Sequence, residues 1–431
     1  MSAHPPVPTG VIVAVDRDHE PTVTARLSDA PDFTIVRRPA DEVELLAAAS
    51  AGMGAVVVLG REFPGLDAEV VRRLHGTGAR LLGLGDDEEQ FRAWGVRSHV
   101  SPWDPPEVFL AAVRDCAQSV AVPPRPAEPP RAAQTREPGP VIAVWGTGSA
   151  PGRSTVAAGL AYLLSSQGTS VVLIDADTVT AGQAAMLGIV DDAPQLAALC
   201  RRAASGVLTP ELFSRHLTAI SPRLHLVTGL SRASRWPEVR PALLSTILDA
   251  AAATADVVIV DITDRIDPDD EFADPHYDRH AATRAVLDRA DHTLLIAQAD
   301  PLGIQRLVRL LETERGEELR ETATIVMNKA RASAVGADPQ TVIDATLSRF
   351  LGLDGCHYLP DDRANVDAAV LAGQAITEHS PRSPLSRALG QLAAALPGLP
   401  EPQLRRRDRS SKPAAARRVR LPRLRRRTMA T

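Results

Sequence analysis

Short runs of Val, Ile and Leu recur along the chain, and the apolar residues between them return at helical spacing. In the first third, GVIVAV (10–15), FTIV (33–36), AVVVL (55–59) and RLLGL (80–84) predict strands buried on both faces, with a short, weaker one near Val100. DEVELLAAASAG, LDAEVVRRLHG and PEVFLAAVRDCA carry the helical pattern. Five such β/α units in about 110 residues predict a doubly wound parallel sheet. Residues 121–140 then hold seven prolines and no periodicity, as an extended linker does. Beyond them VIAVW (141–145), SVVLID (170–175), LHLVTG (224–229), DVVIVD (256–261), TLLIAQ (293–298) and TIVMN (324–328) predict a second, larger parallel sheet. HYLP (357–360) is a candidate seventh strand. A second break, PGLPEPQ (397–403), precedes a change of composition. The expected division is a first domain at 1–120, a linker at 121–140, a second domain at 141–398 and a tail at 399–431.

Composition narrows the class. The chain is 44% hydrophobic but only 3% aromatic, so its cores must be built from Ala, Val and Leu. No run of about 18 apolar residues occurs, and MSAHPPVPTG lacks the basic-then-apolar pattern of an export signal, so a cytoplasmic protein is expected. Cys116, Cys200 and Cys356 are an odd, widely spaced trio, which fits reduced thiols and not a disulfide framework. The net charge of -5 conceals an asymmetry. Leu404 to Arg427 carries 12 basic residues against Asp408 alone, while the rest holds 36 basic and 52 acidic residues. This basic, disordered tail is a candidate to bind anionic membrane, DNA, or neither. Lys329 and Lys412 are the only lysines, so arginine is the chain's habitual cation.

The candidate chemistry begins where VIAVW runs into GTGSAPGRST. A strand, a Gly-rich turn and a helix start let backbone N–H groups and the helix dipole converge on anionic oxygens. Gly152 supplies the last turn, Arg153 is a permanent cation where such loops carry lysine, Ser154 is the hydroxyl suited to Mg²⁺, and Thr155 adds a donor. SVVLIDADT ends in Asp175 and Asp177, and DVVIVDITD ends in Asp261 and Asp264. Each aspartate alone reads as a helix N-cap. Four acids at the ends of two parallel strands lie where open α/β sheets place their ligands. The polar stretch ITDRIDPDDEFADPHYDRH (262–280) spaces Asp274, His276, Asp278 and His280 like metal ligands. A solvated acidic loop explains that composition more simply, and a switch loop is its better functional reading.

As a set, the loop, the D-x-D about twenty residues on and the strand ending in Asp261 resemble the MinD/ParA family of deviant Walker-type ATPases. The five β/α units of the first domain predict a flavodoxin-like α/β sheet, and the resemblance implies that a parallel-sheet P-loop NTPase domain of the SIMIBI, MinD-like type follows it. It implies ATP and Mg²⁺ as cofactors. By position, Gly146, Gly148, Gly152, Arg153, Ser154 and Thr155 would cradle the phosphates, and Ser154 and Asp261 would hold Mg²⁺. Asp177 would orient the attacking water with Asp175 in support, and Arg153 would stabilise the developing charge. Asn328 would read the adenine edge, and Leu359-Pro360-Asp361 would close the base's other side. The family's K-G-G-x-G-K-[ST] loop is altered here. Gly148 stands at the lysine that crosses the homodimer interface, and Ser149 and Ala150 follow it. Arg153 keeps the charge but not the shape of an ammonium. Binding with slow hydrolysis is the expectation.

The first domain resembles response-regulator receiver domains, whose third strand ends in a phosphate-accepting aspartate. Asp16 and Asp18 match that family's first acids, but Gly60 stands at the acceptor and Ser101-Pro102 replaces Lys-Pro. Without a carboxylate nucleophile no acyl phosphate forms. A pseudo-receiver used for docking is expected. Pseudo-receiver, Pro-rich linker and MinD-like domain together resemble the CpaE-like proteins. The variant loop and TGLSRASRWPEVRP (228–241) resemble their septum-site-determining (Ssd) branch in high-GC bacteria. Two functional classes stay open. One is a nucleotide-switched positioning ATPase in septum-site and cell-division regulation or Flp/Tad pilus localisation. Its partner would be an unidentified division or pilus protein, and its place the inner membrane face, the pole or the septum. The other is a non-catalytic scaffold that docks protein, membrane or DNA.

Overall fold

A computed structural model describes residues 8–119, 137–149, 152–189, 193–206, 208–267, 278–353 and 355–399. Five strands, β1 (Thr9–Ala14), β2 (Phe33–Arg37), β3 (Val56–Gly60), β4 (Arg80–Leu84) and β5 (Ser98–Val100), form the first sheet in the order β2-β1-β3-β4-β5, all parallel. This is the flavodoxin-like order, as expected from the pattern. Alternation along each strand splits the core in two. Ile12, Ala14, Val57 and Leu59 pack into one layer, and Val11, Val13, Val56 and Val58 into the other.

The second sheet contains β6 (Val141–Gly146), β7 (Val171–Asp175), β8 (Thr218–Ser221), β9 (Leu224–Val227), β10 (Val257–Asp261), β11 (His292–Gln298), β12 (Thr324–Ala330) and β13 (His357–Pro360). Their order is β13-β12-β11-β6-β10-β7-β9-β8. HYLP is thus a strand, the edge strand β13. The purely parallel sheet of the sequence reading needs one correction: β8 runs antiparallel to β9 and closes the other edge. Its sequence, TAIS, has no apolar run, because an edge strand covered on one side needs none.

The topology collects the chemistry. Central β6 lies between β10 and β11, and β10 lies beside β7, so the turn after β6 opens beside the ends of two acid-bearing strands. Asp261 and Asp175 are register partners. The helix Arg153–Ser166 follows that turn and buries Val156, Ala157, Ala158, Leu160 and Ala161. Its small residues let it lie close to the sheet and to the helix Pro384–Ala395. At Gly159 an added Cβ would stand 2.7 Å from Leu389 Cδ1.

The two domains touch. Arg240 Nη1 donates to Asp67 Oδ2 at 2.7 Å and Nη2 to Glu42 Oε2 at 3.4 Å. Trp94 Nε1 donates to Ala204 O at 3.2 Å, and Gln90 donates to Ser205 O. No helix among the described residues is long and apolar enough to cross a membrane.

Candidate functional site

The turn after β6 depends on glycine at two points. Gly146 lies so close to β11 that an added Cβ would stand 2.2 Å from Ile296 O. Gly152 has φ 97°, a backbone conformation that demands glycine, and an added Cβ would stand 2.4 Å from Asn328 Nδ2 and push that side chain aside. Gly152 leads into the helix Arg153–Ser166 with no side-chain cap and no acid in the first turn. The helix's first N–H groups are left for an anion. Ala150 and Pro151 lie outside the described residues, as do Asp274 and His276.

A cavity of about 710 Å³ opens at this helix start. Gly152, Arg153, Ser154, Thr155, Asp177, Asn328, Pro360 and Asp361 all line it. The structure therefore brings together eight of the residues singled out by sequence. Asp175 and Asp261, each 1% exposed, stand one layer behind it. Gly146 and Gly148 instead line a separate hollow of about 250 Å³ with Asp264, Arg306 and Arg309.

Each carboxylate has a distinct setting. Asp175 Oδ2 accepts from the Gly182 and Gln183 N–H groups at 2.9 Å, which ties down the loop after β7. Asp177 Oδ1 accepts from the Val179 and Thr180 N–H groups at 2.8 Å, and Oδ2 from Thr180 Oγ1 at 3.0 Å. Asp261 Oδ2 accepts from Gln183 Nε2 at 2.8 Å. Burial raises both Asp175 and Asp261 above the usual carboxylate range. The charge of Asp261 adds to the shift at Asp175, whereas Ser154 and Gln183 oppose it at Asp261.

Arg153 folds back across the site. Its Nη2 is 3.6 Å from Asp264 Oδ1 and 3.9 Å from Asp177 Oδ2, and Nη1 donates to Thr147 O at 3.5 Å. The fork of an arginine can span two carboxylates in this way, where an ammonium would act as a point charge. On the cavity's far side Asn328 ends the apolar part of β12, and its Oδ1 accepts from Lys329 N at 2.8 Å. Lys329 adopts φ 58°, a left-handed conformation rare outside glycine. Asp361 N donates to Ala330 O at 3.1 Å, which holds the β13 turn against β12.

Sequence reasoning missed several lining or supporting residues. Thr180, Lys329 and Arg331 wall the cavity, and Gln183 sits wholly buried beneath Ser154. Lys329 follows Asn328 directly, so its rarity in this chain was a usable signal. Gln183 lies eight residues past Asp175, at no spacing that marks it. Of the metal-like quartet, Asp278 pairs with Arg284 and His280 Nδ1 bonds Asp267 O at 2.8 Å. Among the described residues no three His, Cys, Asp or Glu side chains are grouped to hold a metal ion. A magnesium ion shared with phosphates needs only one or two protein groups.

The residues fit a phosphate-bearing ligand with such an ion. Thr147 Oγ1, Arg153 Nε and Gln183 Oε1 are buried with no hydrogen-bond partner among the described residues. Of these, Arg153 lines the cavity at the helix start, where a phosphate oxygen can complete its bare donor.

Residues 142–370 match the family model described as the CobQ/CobB/MinD/ParA nucleotide binding domain. Among solved structures, the chain is similar to a ParA family ATPase from Chlorobium tepidum TLS. That match has 20% identity and a TM-score of 0.48, over 60% of this chain and 99% of that one. It is similar to the cell division ATPase MinD of Pyrococcus furiosus at 16% identity and a TM-score of 0.46, over 59% and 97%. The septum site-determining protein MinD of Pyrococcus horikoshii, complexed with Mg-ADP, matches at 17% identity and a TM-score of 0.46, over 59% and 94%. Comparison with curated protein sequences returned no match.

Proposed function

The chain belongs to the CobQ/CobB/MinD/ParA nucleotide-binding domain family, and from that premise we propose that it binds adenine nucleotide with Mg²⁺ as a slow, nucleotide-switched positioning protein. The observation that carries this reading is one cavity walled by Gly152, Arg153, Ser154, Asp177 and Asn328, with Ser154 and the buried Asp261 linked through Gln183 at its floor. The uncapped helix start and Arg153 would take the phosphates, and Ser154 with Asp261 would hold Mg²⁺. Bound Mg²⁺ supplies positive charge shared with phosphate oxygens. Asp177 is placed to accept a proton from water at the cavity wall, with Asp175 fixing the loop that carries it. Asn328, Pro360 and Asp361 would receive the base.

Slow turnover follows from two features. Gly148 brings no side chain to a second copy's phosphates, and Arg153 already engages two carboxylates that it must partly leave. An in-trans cation is worth orders of magnitude in rate. The finer reading is a CpaE-like protein of the septum-site-determining branch, with a pseudo-receiver as docking module and a division or pilus-machinery protein as partner. A non-catalytic scaffold is the second reading. It is supported by the clamp of Arg240 on Asp67 and Glu42, a contact the first domain makes without phosphorylation.

Calorimetry with ATP·Mg²⁺ on wild-type and Arg153→Ala chains tests the proposal. Wild type should bind, and loss of the charged donors should weaken affinity on the order of tenfold or more. Absent binding, or affinity indifferent to Arg153, would sink it. Binding without measurable turnover would select the scaffold.

A further inference from the structure

Gln183 takes no part in the roles assigned above, yet it is fully buried under the site. It opens the short helix Gln183–Met186, where its backbone N–H donates to Asp175 Oδ2 at 2.9 Å. That bond fixes where its side chain starts. The side-chain Nε2 then donates twice, to Asp261 Oδ2 at 2.8 Å and to Ser154 O at 3.1 Å. Both neighbours are acceptors only, so the amide nitrogen must face them and the oxygen must point away. That oxygen, Oε1, is buried with no hydrogen-bond partner among the described residues.

The result is a bridge: Gln183 ties the Asp261 carboxylate to the backbone of Ser154, whose hydroxyl helps to hold that carboxylate down against the effect of burial. A carboxylate held from two sides cannot rotate freely about its χ angles. A serine hydroxyl next to a carboxylate fixed in this way can offer its lone pairs to the same cation.

We infer that Gln183 is a positioning residue for the divalent cation: it fixes Asp261 against Ser154 so that the pair meets Mg²⁺ in one orientation. The inference rests on the reading of this site as one for Mg²⁺ and nucleotide. Residues that orient metal ligands typically change metal affinity 10- to 100-fold when removed.

The test uses the full chain at saturating ADP and follows thermal stabilisation as Mg²⁺ is titrated. Gln183→Met keeps length and apolar volume but removes the donors. It should need roughly 10- to 100-fold more Mg²⁺ for half-maximal stabilisation, with ADP affinity in EDTA close to wild type. In an Asp261→Asn background the same Met substitution should add little, because its effect runs through Asp261. If the Met chain does not fold, Gln183→Asn carries the test, since it keeps the amide but withdraws it from Asp261 by one methylene; the expected direction is the same. An unchanged Mg²⁺ midpoint overturns the inference, and so does an undiminished Met effect without Asp261. A loss of ADP affinity in EDTA as large as that in Mg²⁺ also overturns it, because that is the signature of packing alone. Wild type failing to bind ADP at all would instead overturn the reading beneath it.

Discussion

Asp175 and Asp261 show what it costs one residue type to sit at a strand end inside the protein. Both are raised by burial above the ordinary aspartate value near 4. The folded chain therefore holds protons there that the unfolded chain has released. Wherever the folded state binds more protons, stability falls as pH rises. The contribution of these two acids is complete below about pH 4, and it is lost as pH climbs through their raised folded values. We expect the stability difference between wild type and Asp175→Asn, and between wild type and Asp261→Asn, to grow against the wild type as pH rises from about 4 toward neutrality. Thermal melts of the ligand-free chains across that range check it. A flat difference would mean that Arg153 and the surrounding N–H donors already offset the burial. The sequence made Asp175, Asp177 and Asp261 legible because acids after apolar strands are conspicuous. Gln183 was not legible, because its role arises from a backbone path that brings residue 183 under residue 154 and leaves no mark in local spacing.

At the scale of elements, glycine separates positions that the fold requires from positions it merely tolerates. Gly390 lies inside the helix Pro384–Ala395, and nothing stands within 4 Å of an added Cβ. Gly390→Ala should stabilise the chain by about 0.5–1 kcal/mol, through reduced freedom of the unfolded state and better helix propensity. Gly146→Ala should do the opposite. Its Cβ would stand 2.2 Å from the Ile296 carbonyl oxygen, a backbone atom of the adjacent strand that cannot rotate away. A loss of about 1–3 kcal/mol or more is expected from such overpacking. Paired denaturant melts check both signs, and equal effects at the two sites would contradict the account. The same contrast explains what the pattern of the chain revealed. Strands such as VVVL and VVIVD are apolar on both faces because helices cover both, so they stand out in sequence. β8 and the 3₁₀ helix Ala233–Glu238 do not, since each is short and carries polar residues, and β8 lies at the sheet's edge. Sheet order is a tertiary property, and only the structure shows that β6 is flanked by β10 and β11.

The whole molecule is two α/β bodies joined by few but directional contacts, with charge distributed unevenly over them. Arg240 clamps Asp67, 7% exposed, and Glu42 across the domain boundary. Removing Arg240 leaves the buried Asp67 carboxylate without its cation. Arg240→Ala should loosen the first domain without unfolding either core, seen as a larger radius of gyration in solution scattering with little change in far-ultraviolet circular dichroism. An unchanged radius would assign the docking to Trp94 and Gln90 instead. The basic stretch from Leu404 to Arg427 lies outside the described residues, and its physics is that of charge. Twelve cations against Asp408 face a remainder with 16 more acids than bases. Pro413 and Pro422 interrupt any helix, and Leu404, Val419, Leu421 and Leu424 are too few for insertion by apolar area. Each arginine near an anionic leaflet contributes about 1 kcal/mol, within a Debye length of roughly 10 Å at 0.1 M salt. The tail should therefore bind vesicles rich in anionic lipid, weaken steeply as salt rises, and lose that binding on truncation after Gln403. Vesicle flotation at about 50 mM and 200 mM salt checks this. Retention on DNA in place of vesicles would move the contact to phosphate backbone. Binding to neither at low salt would mean that the acidic body, rather than an outside surface, takes up the tail's charge.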